Sequence, residues 1–437
     1  MTGYRTVETA LEPYQADIDG PFGTSEAGHL LRRTSFGGSL TERRRIESLG
    51  PKEGSISLTE TPPPSGDFAA TLRVLTALSG LEDPEVSRSV WLTRMIRDPH
   101  PFREMLALFW HGHFATSVTK VGRISLLESQ VDLFRQLGPG SLKDLLQAIS
   151  RDPAMILWLD GNANRRFHPN ENYARELMEL FTLGESHYTE RDVLEAARAF
   201  TGWHEFGGRF RFVAGEHDEG TKEILGRSGN LNGDDVLEAC LDQPAAGQWV
   251  ASRLFRFFVH EEPTPSMIEV LGARYAESGY DTLALLRLLF ESREFYGPKA
   301  RRGLVKSPIA LAAGTIRSLD IRLDTRALSI VLDRLGQSLY APPSVKGWDG
   351  GDSWINAATL IGRINLAADL LDPDGAFGSQ VNESALTSEN RPIADVLIDL
   401  LLDNEVPSSV RFDLARAGGT PREIAHVLMS IPEYQLA

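Results

Sequence analysis

Apolar residues recur at intervals of three and four along most of the chain, the spacing that places them on one face of an α-helix. The stretches with the clearest pattern are DFAATLRVLTALSG, PFREMLALFWHGHF, SLLESQVDLFRQLG, SLKDLLQAIS, GQWVASRLFRFFVH, DTLALLRLLFESREF and SPIALAAGTIRSL. Several begin beside Ser, Asp or Pro and end at Gly, as helices commonly do. The pattern therefore predicts a mainly α-helical protein, built as one large multi-helix domain.

Three regions depart from the helical spacing. Residues 207–226, GGRFRFVAGEHDEGTKEILG, alternate residue types around a turn-rich centre and predict a small β-hairpin or an ordered loop. Residues 50–67 and 372–392 are rich in residues that favour turns, and they predict loops. We therefore divide the chain into an N-terminal extension (1–25), a main helical domain (26–371), a loop (372–392) and a C-terminal helical segment packed on the main domain (393–437).

Composition and charge narrow the class of protein. The chain has 437 residues, of which 42% are hydrophobic and 24% charged, and these values are ordinary for a globular protein in water. Its formal net charge of -15 repels phosphate, so the sequence predicts no general affinity for nucleic acid or anionic lipid. Nowhere do about 18 apolar residues follow one another, and the first residues lack the basic start and apolar run of a leader peptide. We therefore expect no membrane span and a cytoplasmic location.

The cysteine content excludes two further kinds of site. Cys240 is the only cysteine, so neither an internal disulfide framework nor a cysteine-rich metal site can form. Its neighbours, DVLEACLDQ, have the spacing of a helix interior, which predicts that Cys240 is a small buried apolar residue.

One short segment, HPNENYARELMELFTLG at residues 168–184, concentrates polar side chains. Asn170 is a suitable N-cap and Gly184 a suitable helix end, so the segment predicts a helix. At about 100° per residue, its polar residues share one side of that helix, which we call the polar arc: Glu171, Asn172, Arg175, Glu176, Glu179 and Thr182. The polar arc is either a set of catalytic groups or a solvent-exposed face with the ion pairs Glu171–Arg175 and Arg175–Glu179.

A second helix follows closely. Thr189 and Asp192 form a start resembling a capping box, with Asp in place of the usual Glu or Gln. The short connection predicts two antiparallel helices or a helix-turn-helix pair. A DNA-reading role is disfavoured, because the chain is acidic and the second helix offers only Arg191 and Arg198 as contacts.

The segment FWHGHF carries His111 and His113. On a continuous helix the two imidazoles point about 200° apart, so joint metal binding requires the helix to break at Gly112. The alternative is that each imidazole is hydrogen-bonded in the core. No HExxH motif and no Cys/His cluster occurs. A divalent metal, the one cofactor that the sequence suggests, therefore needs ligands from distant segments, with His111, His113 and Glu176 as candidates.

Two further segments offer groups that can bind a substrate. GEHDEGTKEILG places His217, Asp218 and Lys222 in a predicted loop, where they either line a cleft or form an ordinary solvated turn. LYAPPSVKGWDGGDSW places Trp348 and Trp354 in an irregular segment. There the two indoles either form a stacking platform for a sugar or ring, or close the core beneath a long loop.

A helix is predicted to begin at Ser307–Pro308, and Lys306 lies immediately before it. This lysine either binds an anion together with the helix N-terminus or is an ordinary surface residue. The chain contains no GxxxxGK[ST], GxGxxG or GxSxG motif. Nucleotide hydrolysis and serine-esterase chemistry therefore have no support in the sequence.

Six successive blocks of the sequence resemble one family. They are AGHLLRRTSFGG, LFWHGHFATS, WLDGNANRRFHPNENYARELMELFTLGESHYTERDVLEAARAFTGW, HDEGTKEILG, VKSPIALAAGTIRSL and LGQSLYAPPSVKGWDGG, followed by SIPEYQ near the C-terminus. In this order they are similar to the bacterial family catalogued as domain of unknown function 1800. The resemblance implies a mainly helical protein with no assigned activity, in a family of which many members look exported. It also implies a partner, the product of a neighbouring gene from a sulfatase-like uncharacterised family.

We consider two functional hypotheses. In the first, the protein is an enzyme in which Glu171, Glu176 and Glu179 act as acid, base or metal ligands, because carboxylates gathered in a cleft raise one another's pKa values. Arg175 then orients charge, and His113 or His217 lies nearby. The residues expected to bind the substrate are Asn170, Asn172, His217, Asp218, Lys222, Trp348 and Trp354. In the second, the protein is a non-catalytic scaffold: the polar arc fastens helices together and the Trp-rich segment docks a partner.

Overall fold

The first half of the chain folds into a succession of α-helices. The computed structural model describes residues 6–79, 82–383, 386 and 391–437. The helices of the first half are α1 (Val7–Ala10), α2 (Ala16–Asp19), α3 (Thr24–Ser35), α4 (Leu40–Thr59), α5 (Gly66–Ser79), α6 (Pro84–Arg97), α7 (Phe102–His113), α8 (Val118–Val121), α9 (Ile124–Leu137), α10 (Leu142–Ser150), α11 (Pro153–Trp158), α12 (Asn172–Glu176) and α13 (Glu190–Ala199). A π-helical turn, Leu177–Thr182, continues directly from α12.

Helices also make up the second half. They are α14 (Gly233–Leu241), α15 (Pro244–Phe258), α16 (Pro265–Glu277), α17 (Thr282–Glu291), α18 (Pro308–Ser318), α19 (Thr325–Arg334), α20 (Ala357–Leu371), α21 (Ile393–Leu402), α22 (Ser408–Ala417) and α23 (Pro421–Ser430). The prediction of a mainly α-helical single domain is confirmed. Within the described ranges, no helix combines the length and apolar character needed to cross a bilayer. The segment boundaries at 25, 371 and 392 stay predictions, and residues 1–5, 80–81, 384–385 and 387–390 lie outside the described residues.

Several helix starts depend on the side chains predicted to cap them. The Thr189 hydroxyl accepts from the Asp192 N–H, and the Asp192 carboxylate accepts from the Thr189 N–H, which completes the predicted capping box. Ser307 accepts from the Ala310 N–H at the start of α18. Cys240 is fully buried within α14, as predicted. These features were predictable because every partner lies within four residues along the chain.

The predicted hairpin or ordered loop at 207–226 is confirmed and consists of two short antiparallel pairs. The first pairs β1 (Trp203–Phe206) with β2 (Arg209–Phe212), and the second pairs β3 (Lys222–Ile224) with β4 (Arg227–Gly229). Gly207 and Gly208 connect the first pair with φ angles of 62° and 81°, the positive values that a tight two-residue turn requires. The predicted range therefore runs from the turn of one hairpin to the turn of the next.

The predicted loop at residues 50–67 is wrong in its first half. Gly50 interrupts α4 with φ of 76° and ψ of -179°, and Pro51 restarts the helix, which continues to the end of α4. Proline suits a first helical turn because its missing N–H has no helical partner there. Leu58 in this second half of α4 is buried in the core. Tertiary packing thus overrides the turn-favouring composition, and within this range only residues 60–65 form no helix.

α7 lies at the centre of the hydrophobic core. Ten of its twelve residues are buried, which is the behaviour of a helix surrounded by others on all sides. One of the buried residues is a carboxylate, Glu104. It accepts hydrogen bonds from the Trp91 indole and the Arg135 guanidinium, each at 2.8 Å. These contacts satisfy the buried charge and fix the position of α7.

A single buried carboxylate links the C-terminal helices to the N-terminal ones. Asp403, directly after α21, contacts three guanidinium groups. Its carboxylate oxygens lie 2.5 Å from Arg32 on α3, 2.7 Å from Arg43 on α4 and 3.3 Å from Arg302. Because Asp403 itself is only 6% exposed, water offers these charges little solvation.

Candidate functional site

A cavity of about 480 Å³ opens where the C-terminal parts of α7 and α15 meet the start of α18 and an irregular loop, residues 347–354. Apolar walls come from Phe109 of α7 and Phe257 of α15, together with Trp348 and Trp354 of the loop. A volume of this size accommodates a small organic molecule. The sequence prediction that Trp348 and Trp354 bind a substrate stays a prediction, but both indoles line this cavity.

The cavity exists because two glycines allow a close approach of the loop to α7. Gly347 has φ of 80°, and a Cβ atom added there would lie 2.1 Å from the Gly112 carbonyl oxygen. Gly112 is in turn a helical position against which the Trp348 ring packs. Side chains at these positions would keep the loop and helix apart. The glycines therefore place Trp348 beside the histidine-bearing end of α7.

The tryptophans supply hydrogen-bond donors as well as apolar surface. The Trp348 ring lies 5.6 Å from the His111 ring in an edge-to-face arrangement, which holds its orientation. Within the described part of the chain, no hydrogen bond joins the Trp348 or the Trp354 indole N–H to a protein acceptor. Both donors are therefore free to bind a ligand.

Two basic side chains form the inner wall of the cavity. The Arg33 guanidinium, in a residue 4% exposed, donates to the Ala300 carbonyl oxygen at 2.8 Å and to a main-chain oxygen of Ala437 at 2.9 Å. The Lys306 amine, in a residue 7% exposed, donates to the Tyr434 carbonyl oxygen at 2.7 Å. The Arg33 Nε has no hydrogen-bond partner among the described residues, and no Asp or Glu side chain there lies within ion-pair distance of Arg33 or Lys306.

Arg253 on α15 adds a further positive charge. It lines the cavity and is partly buried, and among the described residues no protein group forms a hydrogen bond or ion pair with its guanidinium. Burial lowers the pKa of Arg253, and the neighbouring Arg256 lowers it further. The acidic residues that line the cavity, Glu261, Asp349 and Asp352, are all exposed. The interior is thus cationic and the rim is acidic.

His113 is the imidazole that lines the cavity, and a backbone carbonyl sets its tautomer. Its Nε2 lies 3.1 Å from the Phe181 carbonyl oxygen in the π-helical turn. Since a carbonyl only accepts, Nε2 carries the proton and Nδ1 keeps a lone pair. Nδ1 is buried without a partner in the described residues. Burial, with a contribution from Arg253, lowers the pKa of His113 to about 3, so its imidazole is neutral near pH 7.

His111 faces a different set of neighbours. Its Nε2 accepts the Tyr340 N–H at 3.1 Å, its ring packs against Trp91, and burial lowers its pKa to about 3. α7 continues unbroken through Gly112, so the break that joint metal binding required does not occur. In the described ranges, no three or more His, Cys, Asp or Glu residues are grouped so that they could hold a metal. The structure therefore does not bring the predicted metal ligands, His111, His113 and Glu176, together.

The polar arc lies beside the cavity but does not line it. Arg175 pairs with Glu171 at 2.9 Å, as predicted, and its second partner is Glu190 on α13 at 2.7 Å rather than Glu179. Glu179 instead accepts from the Tyr188 hydroxyl at 3.1 Å. The pairing changes because α12 gives way to the π-helical turn, which alters the angular spacing after Glu176.

Asn170 lies just before α12, and Glu176 is the last residue of α12. The Asn170 side chain accepts from the Asn172 N–H at 3.0 Å, although the N-cap position itself is Glu171. Burial raises the pKa of Glu176, and the charge of Glu179 raises it further. The charges of Arg175 and of Lys346, two residues before Trp348, partly offset this rise in pKa. Catalytic roles for the polar arc stay a hypothesis.

His217, Asp218 and Lys222, which the sequence predicted to lie in one loop, form a network separate from the residues that line the cavity, and Lys222 is the first residue of β3 rather than a loop residue. Asp218 pairs with Arg198 of α13 at 2.8 Å, and that hydrogen bond lowers the pKa of Asp218 despite partial burial. Lys222 donates to the carbonyl oxygens of Asp218 and Gly220. The His217 Nδ1 is 2.9 Å from the Thr201 carbonyl oxygen. These contacts explain how the loop is ordered, and a substrate-binding role for it stays a prediction.

The neutral state of His113 gives stability a defined pH dependence. Its folded pKa of about 3 lies below the value of about 6.5 for an unfolded histidine, so below pH 6.5 the unfolded chain binds a proton that the folded chain does not. We expect the free energy of unfolding of the wild type to fall relative to a His113→Gln variant by about 1.4 kcal/mol per pH unit between pH 6 and pH 4. Urea denaturation of both proteins across this range measures the difference.

An exposed histidine provides the control for this measurement. A His187→Gln variant should keep a constant offset from the wild type, because His187 is exposed in the α12–α13 connection. A pH-independent difference for His113→Gln as well would contradict a buried neutral imidazole at position 113.

Comparison with known families identifies the family of the chain. The sequence signature of a family described as "Protein of unknown function (DUF1800)" matches residues 29–436. The chain belongs to the DUF1800 family. This confirms the resemblance found in the sequence and extends it over nearly the whole chain. No curated protein and no solved structure matches the DUF1800 chain.

Lys306 stood out in the sequence as a candidate anion-binding residue, but Arg33 and Arg253, which also line the DUF1800 cavity, did not. Arg253 lies within GQWVASRLFRFFVH, where Val250, Leu254 and Phe257 surround it in helical spacing. A charged residue on such a predominantly apolar surface is a signal that it has a specific partner. Arg33 lies in the AGHLLRRTSFGG block and carried no local signal of its own.

Proposed function

We propose that the protein binds a small anionic organic molecule with a planar ring, in the cavity between α7, α15, α18 and loop 347–354. The observation that carries this proposal is Arg253, a partly buried guanidinium for which the described residues provide no counter-charge. A charge removed from water is unfavourable unless it is paired. A carboxylate or phosphate entering the cavity would supply that pair.

The other groups in the wall suit the same ligand. The free indole N–H groups of Trp348 and Trp354 can donate to an anion, and the indole faces offer a stacking surface for a ring. The Arg33 guanidinium attracts negative charge to the inner end of the cavity, where the Lys306 amine can also donate a hydrogen bond to it. The exposed carboxylates at the rim repel a ligand that carries negative charge at both of its ends.

His113 is the group that we propose for acid–base work on the bound ligand. Its Nδ1 lone pair is unused, and the repulsion from Arg253 contributes to its lowered pKa. An anion bound to Arg253 offsets that repulsion and raises the pKa of His113, which makes Nδ1 a better proton acceptor when the site is occupied. Under this proposal Glu171, Arg175, Glu176 and Glu179 support the π-helical turn that orients His113.

Binding of phenyl phosphate and benzoate tests the proposal directly. We expect both to bind the wild type in isothermal titration calorimetry, and benzyl alcohol, which lacks the charge, to bind more weakly. Arg253→Gln should weaken binding of both anions roughly 10- to 150-fold, because hydrogen bonds to a charged group contribute about 1.5–3 kcal/mol. Intrinsic tryptophan fluorescence should report the same loss through Trp348 and Trp354.

Arg209→Gln is the matched control. Arg209 is an exposed arginine of β2 outside the cavity, so the same change in charge there should leave binding of both anions unaltered. Equal binding by the wild type and Arg253→Gln would overturn the proposal. It would favour the alternative in which the protein is a scaffold for a partner, including the product of a neighbouring gene.

A further inference from the structure

We propose that Lys306 is a nucleophile, and that its amine forms an imine with a carbonyl group of the anionic ligand. This inference rests on the proposed function, because it takes the cavity of Arg253 as the place where the ligand binds. Under this proposal the ligand is an anion that also carries an aldehyde or ketone group. The site then forms a covalent bond with the ligand in addition to binding it.

The position of Lys306 is fixed by its backbone. The Lys306 N–H donates to the Gln435 carbonyl oxygen at 2.8 Å, and the Lys306 carbonyl accepts from the Arg363 guanidinium at 2.8 Å. The residue lies directly before α18 and lines the cavity. Its side chain therefore starts from a rigid part of the cavity wall, as a nucleophile that must meet a bound ligand requires.

The amine has few partners. Nζ donates to the Tyr434 carbonyl oxygen at 2.7 Å and lies 3.7 Å from the centre of the Tyr434 ring. Within the described residues, no carboxylate pairs with it at ion-pair distance. A neutral amine bound in this way uses one N–H on the carbonyl and keeps its lone pair for an electrophile.

The charges around Lys306 favour that neutral form. Burial lowers the pKa of Lys306 well below its usual value, and the guanidinium groups of Arg32, Arg302 and Arg363 lower it further. The one opposing charge is Asp403, whose carboxylate already contacts Arg32, Arg43 and Arg302. Burial together with neighbouring cations is the arrangement that activates lysine as a nucleophile at neutral pH.

Lys222 shows that burial alone does not produce such a site. It is 1% exposed, and its amine donates to the carbonyl oxygens of Asp218 and Gly220 and approaches the Asn230 side-chain oxygen at 3.4 Å. Its donors are therefore occupied by the loop that it orders, and it does not line the cavity. Lys306 differs in having one oxygen partner and a cavity beside it.

The covalent step is a condensation without oxidation or reduction. The Nζ lone pair attacks the ligand's carbonyl carbon, the carbonyl π electrons move to oxygen, and a carbinolamine forms. Loss of that oxygen as water then leaves a carbon–nitrogen double bond between Lys306 and the ligand. The products are one imine and one water molecule for each amine and carbonyl consumed. When protonated, the imine withdraws electrons from the adjacent carbon and so weakens bonds at that atom.

Reductive trapping tests this step in the full chain. We would incubate the protein with 4-formylbenzoate and sodium cyanoborohydride at pH 7, digest it, and quantify the modified lysines by mass spectrometry. We expect Lys306 to carry at least ten times the label of Lys222 or of the half-exposed Lys120 and Lys143. Arg253→Gln should lower the labelling of Lys306 at least tenfold, since the carboxylate then loses its partner.

Two variants and one analogue separate the possible failures. Lys306→Arg replaces the amine by a guanidinium and should still bind 4-(hydroxymethyl)benzoate, which lacks a carbonyl, while giving no adduct at position 306. Lys306→Met removes the amine without adding a charge and should also give no adduct. If 4-(hydroxymethyl)benzoate binds in an Arg253-dependent way but 4-formylbenzoate leaves no adduct on Lys306, the nucleophile is overturned and the binding site stands. If neither compound binds, both proposals fall, and equal labelling of all lysines overturns the nucleophile.

Discussion

Replacing Asp403 by Asn should lower the free energy of unfolding by about 3–5 kcal/mol. The substitution keeps the size of the side chain but removes the one negative charge that Arg32, Arg43 and Arg302 share. Three guanidinium groups would then lie close together in a part of the protein that excludes water. Chemical denaturation of the two proteins at pH 7 measures the difference.

The pH dependence of Asp403 has the sign of a paired acid. Burial by itself would raise the pKa of Asp403, but Arg32 and Arg43 outweigh that effect and hold the pKa well below its usual range. The carboxylate therefore stabilises the fold above the unfolded pKa of about 3.9, and this contribution is lost as the pH falls below that value. The difference in the free energy of unfolding between the wild type and Asp403→Asn should accordingly become smaller below about pH 4.

An exposed ion pair provides the control for Asp403. Asp242 contacts Arg227 at 2.5 Å, with side chains 59% and 35% exposed. Asp242→Asn should cost no more than about 1 kcal/mol, as is usual for a pair in contact with water. Similar losses in the two variants would mean that Asp403 does not hold the terminal helices together.

Gly347→Ala should both destabilise the protein, by about 2–4 kcal/mol, and abolish the cavity's affinity for anions. A left-handed φ of 80° is unfavourable for alanine, and its Cβ would lie 2.1 Å from the Gly112 carbonyl oxygen. Since that atom belongs to the backbone of α7, the loop has to move away and take Trp348 with it. Thermal denaturation and phenyl phosphate titration measure the two effects.

Gly279→Ala separates the clash from the cost of a positive φ. Gly279 has φ of 73°, close to that of Gly347, but an added Cβ would meet nothing within 4 Å, and the residue does not line the cavity. This variant should show only the conformational cost of about 1–2 kcal/mol and should still bind phenyl phosphate. Equal behaviour of the two variants would refute the idea that the close approach of Gly347 to Gly112 builds the site.

The polar arc shows which ion pairs can be predicted by assuming a regular α-helix and which cannot. The Glu171–Arg175 pair was predictable because four-residue spacing brings side chains together within one regular helix. The predicted Arg175–Glu179 pair does not form, because α12 ends at Glu176 and the π-helical turn begins at the next residue. Arg175 reaches Glu190 instead, and that partner lies on another helix.

For the two histidines, the sequence predicted the directions of the side chains but not their hydrogen-bond partners. The spacing of His111 and His113 on one helix indicated correctly that their imidazoles point to different neighbours. What those neighbours are depends on distant parts of the chain: the Tyr340 N–H for one and the Phe181 carbonyl for the other. No local pattern marks a backbone carbonyl as a partner.

By itself, the sequence determined most of the helices, the capping box at Thr189, the hairpin region and the family of this protein, because these depend on residues that are neighbours along the chain. Tertiary structure alone decided where the cavity lies and that its interior is cationic. Its walls come from segments far apart in sequence, and they meet because Gly112 and Gly347 leave room for one backbone against the other. The spacing of residues along a chain specifies which face of a helix is apolar, but only tertiary packing determines which part of the protein that face contacts.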